Sequence, residues 1–459
     1  MANSTDEARA HMLEAIGISD VEELFEQIPL DQRSGHSFQL PKALDSEVAL
    51  KRHLRGVLSK NVDCEQFLNF MGGGTWQHHV PAICDEICSR SEFLTSVWGS
   101  PASDLGRNQA WFEYASQLGE LVAMDFVGLP VYSWGAALGH SFRMAARITG
   151  RHRILVPALM DPERKAVATT YSGSPELRGH IELVDVVANP ETGRLDMAQL
   201  ERKLGDETAA VYLENPSYLG IIDDQGSQIA ALAHQHGAEL IVGVDPISLG
   251  VLEPPSEYGA DITVGTTQPL GVHMNGGGGV GGFIATRDEE KYARQYPTLQ
   301  VSMAPTIVEG EFSFGMTLFE QSSYGSREEG NDWTGNSVYL WAIANAVYMS
   351  VMGSAGFADL GRNILQRSHY AANRIEELAN VSVKWGTGFF KEFVIEFEGS
   401  GRTVAEVNRH LRGKGIFGGI DLSSTFPDFG QSALCCVTEV HTRDDIDRLV
   451  EALAEATAS

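Results

Sequence analysis

One carboxylate, Asp245, stands at the end of a stretch that predicts a buried strand. The run Ile241–Asp245 is short, apolar and followed by Pro246, which is typical of a strand covered on both faces. A second strand, Asp261–Gly265, and a third, Phe283–Ala285, are predicted after it, with the glycine-rich turn Gly276–Gly282 between them. A carboxylate in this position can pair with the protonated ring nitrogen of a bound cofactor.

The same layout is found in the large domain of fold type I pyridoxal-phosphate (PLP) enzymes. There the Asp faces the pyridinium nitrogen, and a Lys some twenty-odd residues later holds the cofactor as a Schiff base. This chain has the Asp but no lysine between Leu204 and Glu290, and Gln268 and Pro269 stand in the lysine region. Lys291 follows both the glycine turn and the third strand, so we interpret it as a surface ammonium. The sequence therefore predicts a cofactor cradle without the amine, and no catalytic residue.

A second candidate feature is the segment Tyr132–Arg147, in which small residues lead into an amphipathic helix. Free N–H groups and the helix dipole at such a start favour an anion, which is where this fold holds the cofactor phosphate. The candidate cofactor-binding residues, in a degenerate or vestigial site, are Ser133, Trp134, Gly135, Asp245, Gln268 and His273.

The glycine-rich segment Phe70–Pro81 and two Pro-terminated strands supply further candidates. Three consecutive glycines either let the backbone approach another group closely or permit a tight turn. Asn215-Pro216 and Asp245-Pro246 both close predicted strands, and the carboxyl ends of parallel strands face one cleft. The candidate pocket or subunit-interface residues are Trp76, His78, Trp98, Asn215, Arg327 and Trp333.

Composition limits the function classes. The 459 residues carry a net charge of −27, from 34 basic and 61 acidic residues, which argues against nucleic acid and anionic membrane surfaces as partners. Five scattered cysteines predict no disulfide framework. Cys84 and Cys88 lack further ligands at metal-binding spacing, so we expect buried thiols and no metal. With neither a signal-peptide pattern nor an apolar run of about 20 residues, we expect a cytoplasmic protein.

Strand and helix patterns alternate from Arg153 onward, which predicts a mostly parallel sheet with helices on both faces. The predicted fold is α/β, a fold type I PLP-dependent transferase of the aspartate-aminotransferase type. We predict a helical N-terminal arm over 1–60, a large domain over 61–325 and a small C-terminal α/β domain over 326–459.

Over nearly its whole length the chain resembles the glycine cleavage system P-protein family, in particular subunit 1, the α chain of the two-chain decarboxylating glycine dehydrogenase. The stretches that carry the resemblance are Ile16–Pro29, Phe70–Ile83, Ser89–Thr95, Val244–Ile262, Gly281–Arg287, Gly418–Leu422 and Cys436–Glu439.

The resemblance also accounts for the missing lysine. In this family the α chain keeps the fold but is degenerate at the cofactor site, and the β chain supplies the PLP lysine. The two chains form an α2β2 assembly in which α helps to wall the β-chain active site. The reaction implied is PLP-dependent glycine decarboxylation with aminomethyl transfer to the lipoyl arm of H-protein. The resemblance thus implies a subunit that is inactive alone, with PLP on its partner.

Three segments depart from the family pattern. Val97–Ser103 replaces a Thr-Pro-Tyr-Gln-Pro-Glu loop, and Arg327–Trp333 replaces a more basic segment, with Glu329 in place of an ammonium. His273 and Gly276–Gly279 replace a more apolar segment. These changes leave two alternatives open: a repurposed subunit of a PLP enzyme for another amino acid in specialised metabolism, and a non-catalytic structural subunit.

Overall fold

The structure is a computed structural model that describes residues 5–34, 39–94, 101–274, 280–317, 319–335 and 337–458. The candidate Trp98, most of the loop 97–103 and the glycine run 276–279 lie outside these ranges. The chain divides into two compact units, 1–62 and 63–459.

The first unit contains two α-helices among its described residues, and the predicted helical arm over 1–60 stays a prediction. Helix α1 spans Asp6–Ile16 and is capped by Thr5, and helix α2 spans Glu47–Leu58 and is capped by Ser46. In each case the hydroxyl accepts a hydrogen bond from a backbone N–H that the first helical turn leaves without a partner.

The second unit holds the remaining helices and strands of the described residues. Its helices are α3 Ala82–Cys88, α4 Pro101–Val122, α5 Trp134–Thr149, α6 Pro162–Ser172, α7 Met197–Lys203, α8 Gly226–Gln235, α9 Glu290–Ala293, α10 Ser323–Ser326, α11 Tyr339–Glu376, α12 Val404–Gly413 and α13 Arg443–Thr457. Its strands are β1 Leu68–Asn69, β2 Phe126–Val127, β3 Arg153–Pro157, β4 Glu182–Val186, β5 Thr208–Glu214, β6 Glu239–Val244, β7 Ile262–Thr266, β8 Gly282–Thr286, β9 Gln300–Pro305, β10 Phe312–Thr317, β11 Ser382–Lys384, β12 Glu392–Glu396, β13 Ile416–Phe417, β14 Ile420–Asp421 and β15 Ser432–Cys436.

A seven-stranded sheet in the order β2-β8-β7-β6-β5-β3-β4 forms the centre of this unit. Strands β3 to β7 pair in parallel, whereas β8, near one edge, pairs antiparallel with both β7 and the edge strand β2. The mostly parallel sheet predicted from the sequence is confirmed. The predicted strands around Asp245, Asp261 and Phe283 are β6, β7 and β8; β7 and β8 lie within a residue of their expected bounds, and β6 begins two residues earlier than expected.

Successive side chains of a strand point to opposite faces of the sheet. In this sheet the side chains on both faces are buried. Leu240 and Val242 pack into the cluster that contains α4, α8 and α11. Ile241 and Tyr212 pack into the cluster that contains α5. Covering on both faces is why β5 and β6 read as continuous apolar runs in the sequence.

The C-terminal part forms a second, four-stranded sheet in the order β11-β12-β15-β14. Helices α12 and α13 contribute Val404, Val407 and Leu449 to its core. Strand β1, far earlier in the chain, pairs in parallel with β13, and Phe70 lies in the same core. A segment from the start of the unit is therefore joined to the C-terminal part, and the boundary at 325/326 stays a prediction.

Helix α11 is interrupted at Gly353, whose φ of 58° and ψ of 176° are not helical. The sequence predicts two helices here, Ser337–Met352 and Gly356–Leu378, and the break confirms that division. Among the described residues, α11 is the one helix long and apolar enough to cross a membrane by length and composition alone. It also contributes buried residues such as Ala342 and Ile364 to the core, as a core helix does.

Candidate functional site

Asp245 already has a cationic partner within its own chain. It follows β6 directly and is buried, with its side chain 5% exposed. The ammonium of Lys391, itself 2% exposed, lies 2.7 Å from Asp245 Oδ2. The other carboxylate oxygen accepts a hydrogen bond from the backbone N–H of Ile247 at 3.1 Å. The carboxylate that the sequence assigns to a ring nitrogen is therefore paired with Lys391, which immediately precedes β12.

Two further groups surround the ammonium of Lys391. Its Nζ lies 3.4 Å from the centre of the Trp76 indole ring and 3.0 Å from His78 Nε2. Since an ammonium can only donate, His78 must accept at Nε2 and carry its proton on Nδ1. That Nδ1 lies 2.8 Å from Glu439 Oε2 and donates to it. The two candidates Trp76 and His78 thus hold a buried cation of their own chain.

Glu439 completes this chain of contacts. Its second oxygen accepts a hydrogen bond from the backbone N–H of His79 at 2.7 Å. Burial alone would raise the pKa of Glu439, but the adjacent imidazole of His78 and the bond from the N–H of His79 outweigh burial and hold it below its ordinary value. The cluster therefore contains a carboxylate that is ionised at neutral pH, and it orients His78 toward Lys391.

Gln268 lies in the region where the fold places the cofactor lysine, and its side chain hydrogen-bonds to the backbone of two other residues. It follows β7 and is 1% exposed. Its Oε1 accepts a hydrogen bond from the N–H of Trp76 at 3.2 Å, and its Nε2 donates to the carbonyls of Trp76 at 3.0 Å and Val272 at 3.2 Å. The carboxamide therefore fixes the segment that brings Trp76 over Lys391.

The start of helix α5 is capped by a side chain of this chain. Ser133 is the N-cap, and its hydroxyl accepts a hydrogen bond from the N–H of Ala136 at 3.2 Å. A Cβ on Gly135 would lie 3.0 Å from Val167 Cβ, so the glycine permits close packing of α5 on α6.

Arg164 covers the indole of Trp134, with its guanidinium carbon 3.6 Å from the ring centre. The same guanidinium donates to the carboxylate of Glu214, the last residue of β5, and lies 3.6 Å from Asp161. Burial would lower the pKa of Arg164, but the charge of Glu214 overcomes that effect and raises it above the ordinary value. The permanently charged guanidinium of Arg164 therefore covers one face of the Trp134 ring.

The three glycines Gly72–Gly74 allow the backbone to approach a buried acid. The N–H of Gly73 donates to Glu392 Oε1 at 2.6 Å, and a Cβ on Gly72 would lie only 2.1 Å from the same oxygen. Burial raises the pKa of Glu392 to about 7, more than the bond from Gly73 and the charge of Lys391 lower it. Of the two interpretations of the glycine run, close approach is correct at Gly72, and the group approached belongs to this chain.

These side chains leave almost no space between them. The cavity bounded by Trp76, Trp134, Arg164, Asp245 and Lys391 offers about 10 Å³ to the centre of a water-sized sphere, which is room for about one water molecule. PLP needs space for a pyridine ring and a phosphate, an unpaired carboxylate and a lysine amine. The residues present do not fit it, because the cradle predicted from the sequence is filled.

The other candidates lie elsewhere. His273 is exposed and its Nε2 lies 3.0 Å from both carboxylate oxygens of Asp85. The amide of Asn215 exchanges hydrogen bonds with the backbone of Asp223. Arg327 is exposed. Their roles at an interface stay predictions.

Trp333 lines a separate, open pocket of about 400 Å³. Tyr132, Arg143 and Asp332 also face it, and Asp332 bridges Arg143 and Arg147. We refer to these residues as the Asp332 pocket. Sequence reasoning thus brought together Trp76, His78, Trp134, Asp245 and Gln268, but not Trp333.

Sequence reasoning missed the residues that fill the site. Lys391 and Glu392 begin the predicted strand K-E-F-V-I-E-F, and Arg164 lies in a helix predicted near Asp161–Thr169. One signal was available: Lys391 follows Phe389 and Phe390 directly, and a lysine within an apolar strand is rarely left without an acidic partner.

Comparison with known proteins extends these observations to the whole chain. Residues 2–453 match the family described as glycine cleavage system P-protein. The probable glycine dehydrogenase (decarboxylating) subunit 1 of Staphylothermus marinus is 37% identical over 99% of this chain and 97% of its own length. The protein of the same name from Pyrococcus furiosus is 36% identical over 97% of each chain.

Solved structures agree with this match. A crystal structure of glycine decarboxylase (P-protein) of the glycine cleavage system, in inhibitor-bound form, superposes with a TM-score of 0.86 at 30% identity over 98% of both chains. A sphingosine-1-phosphate lyase of Burkholderia pseudomallei gives a TM-score of 0.64 at 16% identity over 94% of both chains, which shows the fold alone. The predicted fold type I architecture is confirmed, and the chain belongs to the glycine cleavage system P-protein family.

Proposed function

We propose that this chain is subunit 1 of a two-subunit glycine dehydrogenase (decarboxylating) and that a second subunit carries PLP on a lysine. Relatives matched over nearly their whole length bear the name subunit 1, which implies a partner subunit. The observation that carries the assignment of PLP to the partner is the pairing of Lys391 with Asp245, together with Gln268 in the lysine region.

The chain's own residues hold no reacting group in this proposal. PLP on the partner supplies the electron sink for the carbanion that remains when glycine loses CO2. The aminomethyl group then passes to a lipoyl H-protein. This chain contributes a neighbouring surface in an α2β2 assembly, and the exposed Arg327 and the half-buried Trp333 are proposed to lie at the partner surface.

Glycine is favoured over the two alternatives. Identities of 36–37% to proteins named for glycine extend over at least 97% of the chain, so the departures at 327–333 are local changes in a conserved frame. We place the assembly in the cytoplasm, where the free thiols found among the described residues, such as Cys84 and Cys436, stay reduced.

The deciding experiment is glycine–bicarbonate exchange with and without a co-expressed, lysine-bearing P-protein subunit. Exchange is expected only when both subunits are present, and addition of lipoyl H-protein should increase it. The matched control replaces the partner's PLP lysine by alanine, which should abolish exchange while the complex still forms. Full exchange by either subunit alone would overturn the proposal.

A further inference from the structure

We propose that Lys391 is a built-in substitute for the cofactor: its ammonium takes the place of the pyridinium nitrogen against Asp245 and closes this pocket to pyridoxal-type rings. The inference rests on the fold and on the pocket of this chain, and it holds whatever the partner catalyses.

The first argument is charge. A buried carboxylate is costly unless a cation or several donors face it. In PLP enzymes of this fold the protonated ring nitrogen meets that requirement. Here Lys391 Nζ at 2.7 Å from Asp245 Oδ2 meets it without any ligand. The pocket is therefore neutralised in the free chain, and a second cation at Asp245 would have to displace the first.

The second argument is the use of the aromatic faces. A pyridoxal ring stacks on a flat side chain, and two indoles line this pocket. Lys391 lies against the ring of Trp76 at 3.4 Å, and Arg164 lies against the ring of Trp134 at 3.6 Å. Cations bind the negative face of an indole favourably, above all where water is excluded. Each of these rings therefore has a cation where a cofactor ring would stack.

The third argument is the support behind the ammonium. Two separate segments hold it in place, Asp245 after β6 and His78 after the glycine turn, and Lys391 itself lies immediately before β12. His78 is in turn fixed by Glu439, and the backbone of Trp76 by Gln268. Lys391 is thus held by a network that joins the C-terminal sheet to the carboxyl edge of the central sheet.

The test uses the full chain and pyridoxamine 5′-phosphate, whose amine cannot form an imine with surface lysines. Calorimetric titration is carried out on wild type, K391A, K391A/D245N and the control K384A. Lys384 suits the control because it also pairs with one carboxylate, Glu396 at 2.8 Å, but is 24% exposed on β11. We expect wild type and K384A to bind weakly, K391A to bind at least tenfold more tightly, and K391A/D245N to lose that gain.

Two outcomes would overturn the proposal. They are an affinity of K391A no higher than that of wild type, and a gain that survives in K391A/D245N, which would place the ligand away from Asp245. Because the measurement needs no partner, a failed glycine-exchange assay would not change its result.

Melting temperatures provide a second readout if K391A folds poorly. We compare D245N, K391M and D245N/K391M, since Met keeps most of the lysine stem. The double variant should melt closer to wild type than either single variant, because each single change leaves a buried polar group without its partner. Strictly additive losses would show that the two groups do not act as a pair and would overturn the proposal.

Discussion

The pocket around Lys391 and the Asp332 pocket both contain ion pairs, but they differ in their access to water. Lys391 and Asp245 are 2% and 5% exposed, whereas Arg143 and Asp332 are 35% and 28% exposed. The first pocket leaves about 10 Å³ and the second about 400 Å³. The first pocket is therefore closed to solvent and the second is open to it.

This difference in access should appear directly as a difference in free energy. Removing one member of a buried pair leaves an uncompensated charge and costs about 3–5 kcal/mol. Removing one member of a solvent-exposed pair costs about 0–1 kcal/mol, because water replaces the lost partner. The following variants test whether burial, rather than the presence of a charge pair, decides the contribution to stability.

The largest effect is expected at Glu214. In E214Q the buried guanidinium of Arg164 keeps, among the described residues, one carboxylate partner, Asp161 at 3.6 Å. We expect the free energy of unfolding to fall by about 3–5 kcal/mol, measured by urea denaturation at pH 7. The control E396Q removes the acid that pairs with Lys384, and both of these side chains are about a quarter exposed. Its free energy of unfolding should fall by less than about 1 kcal/mol. Equal losses in the two variants would remove the distinction between buried and open pairs.

The second effect is the pH dependence due to Glu392. Its pKa is raised to about 7 in the folded chain from an ordinary value of 4.5, so the folded state binds the proton more tightly than the unfolded state. Protonated Glu392 makes its full contribution to the free energy of unfolding below about pH 4.5. This contribution, on the order of 3 kcal/mol, is lost as the pH rises through 7. E392Q should lack this loss.

Urea denaturation of wild type and E392Q at several pH values between 4.5 and 8 measures the difference. Gln can still accept the hydrogen bond from the N–H of Gly73, so the comparison isolates the titrating proton. Parallel pH profiles for the two proteins would contradict the raised pKa of Glu392.

The third effect concerns Gln268. Q268A removes three hydrogen bonds and leaves the N–H and carbonyl of Trp76 unpaired in the core, for an expected loss of about 2 kcal/mol. Q268L keeps most of the volume but none of the hydrogen bonds and serves as the matched variant. Thermal unfolding should show both variants destabilised. Wild-type stability in Q268L would mean that packing alone positions Trp76.

Much of the fold could be predicted because its signals are local. Each of the strands β6, β7 and β8 is a short apolar run bounded by glycine, proline or a charged residue, and the alternation with helices fixes a mostly parallel sheet. The same local signals place Asp245 and Gln268 at the carboxyl edge of that sheet.

The contents of the pocket could not be predicted in the same way. Lys391 reaches Asp245 across 146 residues of sequence, and Gln268 reaches Trp76 across 192. Local periodicity carries no information on such contacts, because they depend on how the C-terminal sheet and the segment that contains Trp76 pack against the carboxyl edge of the central sheet. The sequence shows that the cofactor lysine is missing, but only the packing shows which side chains fill its place.

The smallest effect is expected at Asp332, and its response to salt should separate the two pockets most clearly. Burial would raise the pKa of Asp332, but the neighbouring Arg143 and Arg147 lower it below its ordinary value. D332N removes that attraction and leaves two guanidinium groups facing each other across water, for a loss of about 1 kcal/mol or less at low salt. At about 1 M salt the screening length falls to about 3 Å, so the difference from wild type should nearly vanish.

Urea denaturation at low and high salt measures the difference in the free energy of unfolding between D332N and wild type. E214Q, measured in parallel, should remain destabilised at both salt concentrations, because salt screens a buried pair far less. A salt-independent loss in D332N would mean that Asp332 is as sheltered as Glu214 and that the Asp332 pocket is closed in solution.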